Sequence, residues 1–279
     1  MCQFCHQHGE GKKWYLQAKN YADDMLSDAR RQEMIREFFK DDGQHLREQA
    51  EALEQLGRAP QITRSLITPF ITRTQKRRHF GQVAPIEDIE KILDMMNQVV
   101  RVACICRRLT REENARYCFG LTMSPDVSRF TDLVDDSFLQ GPDGEGLEVM
   151  EKAEALEFMH DAERDGLMHS VWTFMTPFIG GICNCDRSDC LAMRSTVTIG
   201  AKVMFRAEYV AQVDWDECTG CRQCMRVCQF GALGFSATAQ KVMVDQRACY
   251  GCGVCRAVCA KGAVALLERA EVPEVANVW

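Results

Sequence analysis

Two cysteine runs near the carboxyl end share one spacing, and they constrain the fold more than any other feature. The runs are Cys218, Cys221, Cys224 and Cys228, then Cys249, Cys252, Cys255 and Cys259. Both read Cys-x-x-Cys-x-x-Cys-x-x-x-Cys. A short loop with this spacing places three thiolates around one iron–sulfur cube and directs a fourth elsewhere. Because such a cube takes up and releases single electrons, the pattern predicts electron transfer.

The residues around the two runs form an internal repeat. Val213-Asp214 recurs as Val244-Asp245, and Gly231-Ala232 recurs as Gly262-Ala263. One unit is too short to bury its own cluster, so two units must share a core. We therefore expect a pseudo-twofold module at residues 206–279, preceded by a separate domain at residues 1–205.

The repeat resembles bacterial ferredoxins that carry two 4Fe-4S clusters, over about residues 210–266. In that family the fourth cysteine of each run ligates the other cluster. The resemblance implies one cluster on Cys218, Cys221, Cys224 and Cys259, and a second on Cys249, Cys252, Cys255 and Cys228. The proline that usually follows the fourth cysteine is replaced by Gln229 and Ala260. Zinc sites or buried thiols are the alternative, but tetrahedral zinc has no use for an exchanged fourth ligand.

Six further cysteines lie in the middle of the chain: Cys104, Cys106, Cys118, Cys183, Cys185 and Cys190. They converge only if the fold joins distant segments, and a metal is the usual reason for that. A third 4Fe-4S cluster is the preferred interpretation. The alternatives are a zinc or other mononuclear site, and core cysteines with one or two reactive thiols.

The sequence around these cysteines resembles the upstream half of a class of ferredoxin-containing proteins of anaerobes, over roughly residues 85–195. The similarity rests on Cys104-Ile105-Cys106-Arg107 and Ile182-Cys183-Asn184-Cys185. It implies a neighbouring two-cluster ferredoxin domain and no particular reaction. Arg107 either neutralises a cluster's charge or lies in solvent. His169 either binds metal or donates a proton there, or is a core histidine.

The amino terminus holds another possible site. Cys2 and Cys5, with His6 or His8, have the donor chemistry of a zinc or iron site. The Cys-x-x-Cys-His pattern also matches c-type haem attachment. We do not expect haem, since attachment normally needs export and the chain shows no signal segment. Packing or disordered cysteines are the remaining alternative.

Composition excludes several classes of function. The net charge is -6 without a basic stripe, which argues against nucleic-acid binding. No apolar run is long enough for a membrane span. Sixteen cysteines without a secretory signal indicate metal ligands in the reducing cytoplasm rather than disulfides. Oxygen-sensitive clusters suggest an anaerobic metabolism.

Apolar periodicity predicts a mainly helical first domain within an α+β chain. Helices are expected over residues 12–42 and 44–56, from Pro85 onward, and over 147–165, with a loop at 124–146 and strand within 196–213. The helical faces that carry Phe38, Phe39, Met95 and Met96 either dock a partner or belong to the core.

Together these features predict an electron-transfer subunit that exchanges low-potential electrons with a partner oxidoreductase. The main alternative is an oxidoreductase whose own middle metal site is supplied by the ferredoxin module. A redox sensor is a third possibility. A pocket beside the middle metal would favour catalysis. No Gly-x-Gly-x-x-Gly or Walker loop supports a nucleotide-type cofactor.

Overall fold

The computed structural model describes residues 13–40, 44–113, 115–141 and 147–278. Cys2, Cys5, His6 and His8 lie outside these ranges, so the amino-terminal metal site stays a prediction. In the ranges described, no helix is both long and apolar enough to cross a bilayer.

The part of the chain before the cysteine repeat is organised by a seven-stranded sheet with the order β4-β2-β3-β6-β5-β1-β7. All neighbouring strands are antiparallel except β1 and β7, which are parallel. The strands are β1 Gly81–Val83, β2 Gln98–Val102, β3 Cys118–Thr122, β4 Glu148–Met150, β5 Met168–Thr173, β6 Ile179–Cys185 and β7 Met204–Phe205.

Helices surround this sheet. Three short 3-10 turns at Trp14–Leu16, Ala18–Tyr21 and Asp23–Ser27 precede the first α-helix. The α-helices are α1 Ala29–Phe38, α2 Gln44–Arg58, α3 Gln61–Arg78, α4 Ile86–Met95, α5 Ile105–Arg111, α6 Ser128–Thr131, α7 Asp136–Leu139, α8 Lys152–Arg164 and α9 Leu191–Met193. A π-helical turn, Arg194–Ile199, continues α9.

The two faces of the sheet have different partners because successive side chains of a strand point to opposite sides. On one face, Val99 and Phe119 share a buried cluster with Ile89 of α4 and Met159 of α8. On the other, neighbouring Val100 packs with α1 and α7. The cysteines of the middle segment lie on this second side.

The carboxyl-terminal module contains the order strand, short helix, strand twice. Its elements are β8 Tyr209–Val213, α10 Gln223–Val227, β9 Leu233–Ser236, β10 Lys241–Val244, α11 Val254–Ala257 and β11 Val264–Glu268. Strand β8 pairs with β11, and β9 pairs with β10, both antiparallel. A final 3-10 turn covers Arg269–Glu271. The division at residue 205 and the pseudo-twofold relation stay predictions.

The α+β class is confirmed, but the prediction of a mainly helical first domain missed the sheet. Both faces of the sheet are covered, so the apolar runs of its strands lack a clear alternation. The apolar pattern carried the helix predicted after Pro85 as far as Val100. Helix α4 begins after Pro85 as predicted, but it ends at Met95, and Val100 lies in strand β2. Within the predicted helix over 12–42, only Ala29–Phe38 is α-helical among the residues described, and three 3-10 turns precede it.

Candidate metal centres

The structure brings all six middle cysteines to one place. Cys183 and Cys185 alternate along β6, so both thiols lie on the same face of the sheet. Cys118, on β3, is paired in register with Cys183. Cys104 is the N-cap of α5 and Cys106 lies in its first turn, while Cys190 is the N-cap of α9. Four separate segments thus supply the thiols.

The six thiols form a closed ring of neighbours. The sulfur atoms of Cys183 and Cys118 are 3.1 Å apart. Contacts between thiols then follow the ring order Cys118, Cys104, Cys106, Cys190, Cys185 and back to Cys183. All six are free thiols. A cube binds four thiolates, so the ring offers more donors than one cube needs.

Hydrogen bonds between the thiols of this buried ring change their pKa values. Hydrogen bonds from Cys106 and Cys118 hold the pKa of Cys104 well below its usual range. Hydrogen bonds from Cys118 and Cys185 likewise lower the pKa of Cys183. Since metal binding replaces thiol protons, the ring is chemically suited to a cation that compensates several thiolates at once.

Arg107 supplies a buried positive charge beside the ring. Its side chain is about 6% exposed and pairs with Asp186 and, at 3.5 Å, with Asp189. Its Nη1 lies 3.9 Å from the Cys104 sulfur and donates to the Asn184 carbonyl oxygen. The solvated alternative is therefore wrong for Arg107. The acidic turn after Cys185 holds this arginine in place.

His169 lies on the opposite side of the sheet from the thiols. It pairs in register with Asn184, the residue between Cys183 and Cys185 on β6. The imidazole of His169 is fully buried, and its Nδ1 is 2.7 Å from Asn184 Oδ1. Burial lowers the pKa of His169 to about 4. These positions favour the core interpretation over metal ligation at the six-cysteine ring.

A cavity of about 290 Å³ adjoins the ring, and all six middle cysteines line it. Phe38, Phe39, His79, Trp172 and Phe174 also line it. The sequence analysis did not identify His79 or Trp172 as site residues, and no local motif marks them. Phe38 and Phe39 line this cavity, whereas Met96 is core on the other side of the sheet.

The eight cysteines of the module fall into two spatial groups. The thiols with the strongest electrostatic effect on Cys224 are Cys259, Cys221 and Cys218. Those that interact with Cys252 are Cys255, Cys249 and Cys228. Each group therefore takes its fourth thiol from the other sequence run. This grouping agrees with the exchanged ligands of the resemblance.

The module's backbone is shaped for bound sulfur. The amides of Ala211 and Gly251 each lie 3.4 Å from the Cys249 sulfur, and the Ala232 amide lies 3.3 Å from the Cys228 sulfur. Such N–H donors stabilise the negative charge of a reduced cluster. Thiolate donors and inward amides together fit iron–sulfur clusters.

Within the ranges described, no three or more His, Cys, Asp or Glu side chains are arranged to hold a single metal ion. This applies both to the six-cysteine ring and to the two groups of the module.

Residues 206–263 match the family model of the 4Fe-4S dicluster domain. The match identifies a ferredoxin-type domain and supports an iron–sulfur electron-transfer role. It covers the carboxyl-terminal module and does not reach the six-cysteine ring. A comparison of the chain with curated proteins finds no match.

The 4Fe-4S domain and the six-cysteine ring share one buried cluster of side chains. Cys185, Cys190 and Met168 pack in it with Val254, and the partly buried Cys252 adjoins it. The rings of Phe230 and Tyr250 stack at 4.0 Å in the same cluster. Of the two groups of cysteines in the domain, the one that contains Cys252 therefore faces the six-cysteine ring.

Gln229 explains one departure from the ferredoxin pattern. Its Nε2 donates to the carbonyl oxygen of Gly166 at 2.8 Å, and its Oε1 accepts from the amide of Arg187 at 2.9 Å. Proline could form neither bond. The residue after Cys228 thus fixes the 4Fe-4S domain against the segment that follows Cys185.

The contact between the 4Fe-4S domain and the preceding part of the chain is called the junction below. A buried carboxyl also lies at this junction. Glu163 is 4% exposed, and a Cβ built on Gly253 would lie 3.3 Å from its Oε1. Burial raises the pKa of Glu163 to about 7, although Arg256 opposes this effect. Arg256 itself pairs with Glu87 at 2.5 Å across the junction.

Glu163→Gln should therefore change how stability depends on pH. Between an unfolded pKa near 4.5 and the folded value of about 7, the folded chain holds a proton that the unfolded chain lacks. The wild type thus loses stability as pH rises through this range, by up to about 3 kcal/mol. We expect the variant's unfolding midpoint to rise relative to that of the wild type as pH increases from 4.5 to about 7.5. Exposed Glu157→Gln on the same helix is the control, and a constant difference for Glu163→Gln would contradict the prediction.

Proposed function

We propose that the chain is an iron–sulfur electron-transfer protein with a third metal centre in the part that precedes the ferredoxin-type domain. Two 4Fe-4S clusters would occupy the ferredoxin-type domain, and the six-cysteine ring would hold the third. The observation that carries this proposal is the shared buried cluster that joins Cys252 and Val254 to Cys185 and Cys190. When bound, such clusters take up and release one electron at a time.

The ligand assignment follows the spatial groups of thiols. Cys218, Cys221, Cys224 and Cys259 would hold one cluster, and Cys249, Cys252, Cys255 and Cys228 the other. For the ring, Cys104, Cys106, Cys118, Cys183, Cys185 and Cys190 are the candidate ligands. Arg107 would offset part of the negative charge of their thiolates, which favours the more reduced state.

The first cluster site opens toward the surface. Cys221 is exposed. Trp215 is 46% exposed, and its indole donates to the carbonyl oxygen of Val242. Neighbouring Lys241 donates to the carbonyl oxygen of Cys218. We place the contact with a redox partner, in an anaerobic metabolism, on this side of the domain.

The cavity beside the ring favours a second candidate function, an oxidoreductase that acts at its own metal centre. A chain that only relays electrons needs no space beside its metal. Here the six thiols line a cavity of about 290 Å³ whose other walls are largely apolar. The ferredoxin-type domain would then supply electrons to this site.

The metal content of anaerobically purified chain tests the proposal. We expect about twelve irons and about twelve acid-labile sulfides per chain for three cubes, against about eight of each for two. Electron paramagnetic resonance of the reduced protein should show more than two interacting clusters. A content of about eight irons, with no zinc, would confine the clusters to the ferredoxin-type domain.

A further inference from the structure

The cavity beside the six cysteines has an inner and an outer part. The thiols form its floor, and buried aromatic side chains, including Phe39, Trp172 and Phe174, form its inner wall. The charged side chains of Glu37 and Arg78 line the outer rim and are solvent-exposed. The inner part is thus apolar, and the rim is polar.

The size of the cavity limits what it encloses. Its volume is about 290 Å³, whereas a cavity of about 150 Å³ encloses one benzene molecule. An inorganic centre on the thiols takes the floor. The remaining space suits one aromatic ring with a small substituent.

His79 offers a hydrogen-bond acceptor in this apolar wall. Its Nδ1 lies 2.6 Å from the carbonyl oxygen of Thr173, so Nδ1 carries the proton. Nε2 is then an acceptor, and no described residue hydrogen-bonds it. Burial lowers the pKa of His79 to about 4, so the ring is neutral at pH 7.

Packing fixes the position of His79 relative to the thiols. Its ring stacks on Trp172 at 4.9 Å and lies 4.5 Å from Phe38. The Trp172 indole donates to Ser170 Oγ at 2.9 Å, and this oxygen lies 3.7 Å from the Cys185 sulfur. His79 is therefore one indole away from the ring of thiols.

We propose that this cavity binds a small uncharged molecule with one aromatic ring and a hydroxyl or amino group, which donates a hydrogen bond to His79 Nε2. The ligand is uncharged because the one buried cation that lines the cavity, Arg107 among the described residues, is already paired with Asp186 and Asp189. An unpaired buried charge is costly. As a substrate class, the inference rests on the proposed oxidoreductase function.

Calorimetric titration of the anaerobically purified full chain tests this site with three probes. We expect phenol to bind about threefold to tenfold more tightly than anisole, which has the ring but no donor. Benzoate should bind more weakly than phenol. Absence of phenol binding, equal binding of phenol and anisole, or tighter binding of benzoate would overturn the proposal.

Variants of His79 identify the acceptor. His79→Phe keeps a ring against Trp172 and Phe38 and should abolish the preference for phenol over anisole. His79→Gln keeps an acceptor and should retain part of it. If His79→Phe fails to fold, the preference of the wild type for phenol over anisole and its partial retention in His79→Gln still test the role of His79 as the acceptor. A preference that survives in a folded His79→Phe variant contradicts the role of His79.

The same preparations separate this inference from the proposed function. Phenol binding to a chain that holds only about eight irons would support the cavity site and reject the third cluster. About twelve irons without phenol binding would support the cluster and reject the cavity site. Each proposal therefore fails on its own measurement.

Discussion

Replacing Cys183 and Cys185 together by serine should remove the metal of the six-cysteine ring and leave that of the ferredoxin-type domain. Both thiols stand on one face of β6, between Cys118 and Cys190 in the ring. Without them the ring opens, and the four remaining thiols no longer surround one space. We expect a loss of about four irons and four sulfides per chain.

The double substitution is needed because the ring holds six thiols. One substitution leaves five donors, which is enough for a cube that needs four. Cys183→Ser alone should therefore lower the iron content only in part. Serine keeps the size of each side chain, so β6 should stay paired with β3 and β5, as circular dichroism can show.

The matched control is Cys221→Ser in the ferredoxin-type domain. It should alter the electron paramagnetic resonance signals of that domain and leave the third centre intact. If the double variant retains the iron content of the wild type, Cys183 and Cys185 are not ligands of a cluster. If both variants lose the same signals, the two halves do not hold separate centres.

The sequence analysis grouped the six cysteines but did not predict the strand that carries Cys183 and Cys185. Cys183-x-Cys185 on a strand places both thiols on one face, and this follows from the alternation of side chains. Their meeting with Cys104 and Cys190 depends on the register of β3 with β6 and on where α5 and α9 begin. These are long-range pairings that periodicity does not encode. The sequence therefore indicated which thiols matter but not their ring.

The aromatic cavity and the contacts at the junction could not be predicted from the sequence for the same reason. His79 ends α3, while Trp172 lies in β5, and only the pairing of β1 with β5 joins them. The sequence showed Gln229 as a departure from the ferredoxin pattern. Its contacts with Gly166 and Arg187 lie across the junction, so their significance required the fold.

The carboxyl-terminal repeat was more accessible because its constraints are local. The exchanged grouping of thiols agrees with the spacing, and glycine environments also repeat. Gly220 and Gly251 occupy equivalent positions, and a Cβ on them would lie 2.2 Å and 2.1 Å from backbone carbonyl oxygens. Gly231 and Gly262 also have positive φ, but nothing lies within 4 Å of an added Cβ. Each half of the repeat therefore has one glycine that leaves no room for a side chain and another that has room but a positive φ.

Gly251→Ala should consequently disrupt the second cluster site of the ferredoxin-type domain. The added methyl group would overlap the carbonyl oxygen of Tyr209 on β8, which cannot move without disturbing its pairing with β11. Gly251 also has φ of +71°, which costs alanine about 1–2 kcal/mol by itself. The overlap with the carbonyl oxygen should raise the total loss of folding free energy above about 4 kcal/mol. We expect loss of iron from this site and a large fall in the unfolding midpoint.

Gly231→Ala is the matched control, because it carries the φ penalty without the overlap. Its φ is +67°, close to that of Gly251, and the space around it is open. We expect a cost of about 1 kcal/mol and an unchanged iron content. Equal effects of the two substitutions would mean that φ alone restricts these glycines. A larger effect at Gly251 would show that close approach of β8 to the loop between Cys249 and Cys252 is what this cluster site requires, and Gly220→Ala should then repeat the result at the other site.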